Sequence, residues 1–518
     1  MPWSVKLTRL MNVATVDLLC GMRRGGREAH RIAWRGAAFS PGFRVAAARW
    51  RAGTRPTRRD ARRIGLAAFA PPPPPSRKPQ VYDAPAMMHR TQTSAAANTE
   101  PLIASLDNGV RVAVFRMPHL ATAAVSVFVR SGSQHESARE SGIGHVIEHM
   151  AFKGTRSRDC QQINLDAERL GADVNAHTDK DHTAFHMRGL ARDAEAFVGM
   201  LGDIVRRSTF PETELERERE VLLHEFADDE DDAMATAFKL FDKACYADHP
   251  AARPVIGSRA NIRRFSRAEL VAHVERLFTG ANTIVGVAGD VDPERIVDAV
   301  RSAFGDMAPG VDNRIDPPGY VGGVRTRRLS GASQAHVVLG FPVPPLPEAH
   351  HAFVVAAALL GEGMSSPLLD RLRERRGLVY HADCWTDVRD SYGQFVIEAS
   401  TSPAHLPEYF AEVDRLLREH AEATDPVGLE RARNQIAVRS LCAQEVPAQR
   451  LELAALDLFA LGRVRPREEL LAAIAAVTPE QVREAFAWMR RTGAAVGIAG
   501  RIAKGQDDRV AELFGKRA

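Results

Sequence analysis

Apolar residues along this chain switch period repeatedly, and each switch marks an element. Stretches of strand length and β-branched character lie at 102–106, 110–115 and 121–129. Asp107-Asn108-Gly109 between the first two is a hairpin turn signal. A polar loop over 131–141 precedes a helix that opens near Gly142. Residues 163–170 read as a helix stopped by Gly171. Asp173–Thr178 and Thr183–Leu190 read as a hairpin, and 193–206 as an amphipathic helix. Pro211 suits the first turn of a helix running through Glu225. Helix 267–278, strand 282–288 and helix Pro293–Phe304 follow.

The pattern then begins again. A Pro- and Gly-rich stretch over 312–325 reads as a linker. Beyond it come a strand at 334–341, a long helical region from His350 towards Arg375, and a second hairpin over 379–386 and 392–399. Helices at 406–420, 428–444, 451–461, 467–475 and 479–490 lead to a closing strand at 494–499. Strand, helix, hairpin, helices, strand thus occurs twice, in units of roughly two hundred residues. The expected architecture is α+β: two homologous domains, 100–311 and 326–518, each a largely antiparallel sheet packed with helices.

Composition changes this picture at one end only. Residues 1–99 hold 18 of the 69 Lys/Arg and 4 of the 65 Asp/Glu, with Ala-rich tracts and a run of prolines at 71–75. Such a segment cannot bury a core, and we expect a disordered extension. It reads as a transit leader, as a basic tail, or as sequence upstream of a true start at Met87 or Met88. The rest carries 51 basic and 61 acidic groups, which gives no reason to expect nucleic acid as a partner. No apolar run is long enough to span a bilayer. Together these favour a cytoplasmic protein, with an organellar matrix or periplasm as the alternative if 1–86 is a cleaved leader. Five scattered cysteines without a C-x-x-C pair suggest buried thiols, neither a disulfide framework nor a thiolate metal site.

The chemistry concentrates at 142–154, Gly-Ile-Gly-His-Val-Ile-Glu-His-Met-Ala-Phe-Lys-Gly. His145 and His149 are four apart, one above the other on a helix, and can present two imidazoles to one cation. Glu148 lies on nearly the same face and can act on a water there without being a ligand. The order H-x-x-E-H inverts the H-E-x-x-H zinc helix. A catalytic zinc wants three protein ligands, and the acidic helix after Pro211 offers candidates. Glu218 and Glu225 are seven apart on one face, but spacing does not choose Glu225 over Glu220. His177, His182 and His186 on the hairpin are rival ligands, and His224 points away from the Glu225 face. A solvated acidic face is the plainer reading of that helix.

These stretches resemble the M16 metallopeptidases, the family of pitrilysin and the mitochondrial processing peptidase, in its shorter two-domain type. The likeness rests on His145-Val-Ile-Glu-His-Met-Ala-Phe-Lys-Gly-Thr, Gly171-Ala-Asp-Val-Asn-Ala-His-Thr, Glu216-Arg-Glu-Arg-Glu-Val-Leu-Leu-His-Glu, 282–292, and Gly361-Glu-Gly-Met-Ser-Ser-Pro-Leu with 373–380. It spans about 102–515. The resemblance implies a zinc endopeptidase acting on peptides, with one Zn²⁺ per chain held by His145, His149 and Glu225. It implies Glu148 as catalytic base and Glu218 as support for a ligand. It also implies Asn175 on substrate backbone, and Arg373 and Tyr380 on the developing oxyanion. Family members enclose substrate between two halves, and in the two-domain type the second half is another subunit. A chain carrying both the zinc set and the Arg/Tyr pair implies a homodimer. The alternatives are a heterodimer with a non-catalytic relative, or a scaffold role. One departure stands out: where processing-peptidase β subunits carry acids that hold a substrate arginine, this chain has Ala235 and Lys239, with Asp231 and Asp232 nearby.

Overall fold

The computed structural model describes residues 100–503 and 505–514; the expected disordered extension over 1–99 lies outside them. Strands β1 (Leu102–Ser105), β2 (Arg111–Arg116), β3 (Thr122–Val129), β4 (Asp173–Thr178), β5 (Thr183–Leu190) and β6 (Thr283–Gly289) form one sheet in the order β1-β2-β6-β3-β5-β4. Strands β7 (Gly323–Arg328), β8 (Ala335–Val343), β9 (Val379–Val388), β10 (Gly393–Thr401) and β11 (Ala495–Gly500) form a second, in the order β7-β11-β8-β10-β9. Each has a single parallel pair, β2–β6 and β7–β11, and is otherwise antiparallel. The second sheet therefore repeats the last five positions of the first, as the repeated pattern predicts. The hairpin β4–β5 falls on its predicted bounds.

Period-two alternation gives each sheet two buried faces. In the first, Val125, Val127, Phe185 and Met187 point into a core shared with Ile143, Val146, Ile147 and Met150 of the motif helix. Ala124, Phe128, Ala184 and Ile284 point the other way, onto Leu451, Ala454 and Leu458 of helix Pro447–Leu461. That helix belongs to the second half of the chain. The exchange is reciprocal: Ala237, Phe241 and Ala244 of helix Ala233–Tyr246, in the first half, cover Val338, Val396 and Ala495 of the second sheet. A glycine in the central strand admits each visiting helix. A Cβ on Gly497 would sit 2.1 Å from the Ala237 carbonyl oxygen, and one on Gly286 would sit 3.0 Å from Leu451 Cδ2.

Several expectations change. The helix after Pro211 runs Glu212–Asp231, six residues past Glu225. Helix Ala233–Tyr246 occupies a stretch where no element was expected. The region from His350 is not one helix: His351–Gly361 ends, and Pro367–Leu369 continues into a π-wound Asp370–Arg375. Strand β7 and helix Gln506–Phe514 are additional. The polar loop over 131–141 is largely buried at its start, where Ser133 and Gln134 donate backbone hydrogen bonds to the carbonyls of Asp179 and Lys180. Among the described cysteines, Cys245 and Cys384 are buried thiols, whereas Cys442 is exposed. No helix among the described residues is long and apolar enough to cross a membrane.

Candidate metal centre

The motif helix Ile143–Ala151 starts at Gly142, whose φ of 97° only glycine adopts readily. Its free N-terminal N–H groups meet a residue that pattern reading missed. Glu136 is 2% exposed and accepts from Gly142 N at 2.7 Å and Gly144 N at 2.9 Å. Burial pushes its carboxyl up to about 8, against the pull of those two donors. A carboxylate six residues before a helix carries no local capping signature, so only the loop's path reveals it. Glu136→Ala strands two buried donors at about 1–3 kcal/mol each. The expected loss is about 2–4 kcal/mol in urea unfolding of the full chain; a loss within the measurement error would exclude this anchoring role.

Helix periodicity then delivers the imidazoles. The rings of His145 and His149 stand edge to face, centroids 4.8 Å apart. Glu225 Oε2 lies 3.6 Å from His145 Nε2 and 3.5 Å from His149 Nε2. All three donor atoms fall within 4.8 Å of one another. Ligands about 2.05 Å from a tetrahedral zinc stand about 3.3 Å apart, so this donor set fits that ion with little adjustment. The protonation states suit it too. Burial holds the His145 imidazole below its usual range. Burial also lowers His149, but hydrogen bonds to Glu218 and Glu225 outweigh it and lift the ring to about 9. A metal ion takes the place of that proton. Burial raises the Glu225 carboxyl, and the two histidines bring it below its usual value.

Behind His149, Glu218 accepts from Nδ1 at 3.2 Å and pairs with Lys153 Nζ at 2.6 Å. Lys153 escaped sequence reading because it lies beyond the helix end. Burial raises the Glu218 carboxyl, but His149 and then Lys153 bring it below its usual value, and Glu218 on Nδ1 leaves His149 Nε2 facing the cluster. Loss of such an outer partner weakens metal binding about 10–100-fold. Glu218→Gln is expected to show that drop in a competition titration with a zinc chelator, and unchanged affinity would contradict it.

Glu148 is half-buried and makes no hydrogen bond or ion pair among the described residues, while its charge acts on both imidazoles. Glu220 and His224 are left out of the cluster. Asn175 is exposed on β4, the edge strand of its sheet, and its Oδ1 accepts from Ala176 N. Arg373 lies in the π-wound turn, paired to Glu374, and Tyr380 on edge strand β9 is 88% exposed. Neither bonds to the histidine–glutamate cluster. Three acids of the run after Glu225 are engaged within the fold, while Asp231 is exposed. Asp229 pairs with Lys239, Glu230 with Arg259, and Asp232 caps helix Ala233–Tyr246.

The fold and this donor set direct comparison to metal-dependent peptidases, and the comparisons agree. The family profile described as insulinase (peptidase family M16) matches residues 111–259, and that described as the peptidase M16 inactive domain matches 264–436. The chain belongs to peptidase family M16. It is 33% identical to a protein of Mycobacterium tuberculosis named an uncharacterized zinc protease, over 79% of this chain and 96% of that one. It is 28% identical to a protein of the same description from Rickettsia felis, over 73% and 92%. In fold it is similar to a protease from Helicobacter pylori, with TM-score 0.70 and 20% identity over 77% of this chain and 99% of that one. It is similar likewise to a peptidase M16 inactive domain from Pseudomonas fluorescens, with TM-score 0.71 and 19% identity over 78% and 98%.

Proposed function

We propose that this chain is a zinc endopeptidase that cleaves peptides or unfolded polypeptide segments. The observation that carries the reading is the convergence of His145 Nε2, His149 Nε2 and Glu225 Oε2 on the helix face that Glu148 shares, its carboxylate without a partner among the described residues. His145, His149 and Glu225 hold one zinc. When bound, zinc brings the pKa of a water towards neutrality and polarises a carbonyl. Glu148 accepts the proton of the attacking water and returns it to the leaving amine. Glu218 and Lys153 keep His149 in its ligating tautomer. Substrate adds as a strand to the free edge of β4, where Asn175 holds its backbone. The test is cleavage of an unstructured polypeptide by the zinc-loaded chain, abolished by chelation. Full zinc occupancy without any cleavage would favour a scaffold role.

Arg373 and Tyr380 stabilise the oxyanion, and they do so across a homodimer. Supporting this, both sit on the second half without a bond to the cluster of their own chain, and Tyr380 stands free in solvent. Mixing Glu148→Gln chains with Tyr380→Phe chains is then expected to restore cleavage that neither preparation has alone. Cleavage in the mixture no greater than the sum of the two preparations would contradict action in trans.

A further inference from the structure

A second convergence of ligating atoms lies on the opposite face of the first sheet. Ala176 and Phe185 point into the core that holds the motif helix, so His177 and His186 face the other way, towards helix Pro447–Leu461. There His177 Nε2 and His182 Nε2 stand 3.3 Å apart, and Glu452 Oε1 lies 2.8 Å from His182 Nε2 and 3.8 Å from His177 Nε2. These separations bracket the edge of about 3.3 Å expected around a tetrahedral ion.

The remaining ring nitrogens are all fixed. His182 Nδ1 bonds to Asp181 at 2.9 Å, and Arg389 in the second half holds the same carboxylate oxygen at 2.8 Å. His177 Nδ1 meets His186 Nε2 at 2.8 Å, and His186 Nδ1 meets Ser126 Oγ at 2.9 Å. Carboxylate and imidazole partners of this kind orient metal-binding histidines. The ligand side is open, since the side chains of His177 and Glu452 are 25% and 32% exposed. The competing occupant is a proton on His182, bridging Asp181 and Glu452. It satisfies both carboxylates, and His177 Nε2 then directs its own hydrogen at Glu452 across 3.8 Å.

We propose that His177, His182 and Glu452 form a second transition-metal site, one that clips the β4–β5 hairpin of the first half to helix Pro447–Leu461 of the second. Two imidazoles and one carboxylate suit zinc, with cobalt(II) as a coloured substitute. Because the ligands come from both halves, the metal acts as a fastener, and its binding stabilises the folded chain by mass action.

The test titrates the chelator-stripped full-length chain with cobalt(II), following the d–d absorption and the thermal midpoint. Wild type is expected to take up two equivalents. His177→Gln/Glu452→Gln is expected to take up one, losing the thermal gain that belongs to the second. Glu225→Gln is expected to lose the other equivalent and keep this one, so failure of the motif site and failure of this site are distinguishable. A single Glu452→Gln chain, isosteric and altered at a half-exposed position, guards against misfolding. The proposal is overturned if wild type takes up one equivalent only and Glu225→Gln takes up none, or if Glu452→Gln binds as many equivalents as wild type does.

Discussion

Glu148→Gln is expected to lower peptide cleavage by about 10²–10⁴-fold, the usual worth of a positioned general base, while zinc binding is kept. Glu148 shares the helix face of His145 and His149, yet the glutamate that converges with them is Glu225, supplied by another helix. Glutamine preserves shape and removes the proton acceptor. It also leaves His145, His149 and Glu225 unaltered. Zinc affinity in this variant should therefore not fall as it does for a ligand change. Rate and zinc content are measured on the same preparation. Loss of zinc together with rate would move Glu148 among the ligands, and an unchanged rate would remove it from the mechanism.

Glu225→Gln is expected to do the reverse and release the metal. An outer partner such as Glu218 is worth about 10–100-fold in affinity, and a direct carboxylate ligand is expected to exceed that. It supplies the only anionic donor in the set, which otherwise has two neutral imidazoles. Equilibrium dialysis against zinc reads the affinity, and the thermal midpoint reads the linked stabilisation. Zinc retained at wild-type affinity would point to another ligand, and Glu220 would be the first to test.

Much of this was legible in the sequence because two short-range periods carry it. Four-residue spacing on a helix put His145 above His149, and seven-residue spacing put Glu218 and Glu225 on one face, where the family resemblance and not the spacing chose Glu225 over Glu220. Alternation set β4 and β5 on their bounds. What the sequence hid depends on long-range contact. Helix Ala233–Tyr246 escaped because its apolar residues face the sheet of the other half, with no partner nearby in the chain. The mark it does leave is Gly497, and helix Pro447–Leu461 leaves its counterpart at Gly286; they lie in the matching stretches Val496-Gly-Ile-Ala-Gly and Val285-Gly-Val-Ala-Gly and explain themselves only once the two visiting helices are seen. Glu136 and Lys153 serve the motif from outside its helix. Glu452 stands 270 residues from His182, and no local spacing links the two. The hairpin histidines read as rival ligands for the motif site, and their own cluster appears only where the second half meets the hairpin.

The central claim is that the cluster of His145, His149 and Glu225 makes this chain a peptidase. It is tested most directly by digesting a fluorogenic peptide library with the full-length chain as purified, after chelation, and after zinc is restored. Wild type is expected to show cleavage that chelation abolishes and zinc restores, with no restoration in Glu148→Gln at the same zinc content. Cleavage indifferent to chelation, or none from a fully zinc-loaded chain, would contradict it.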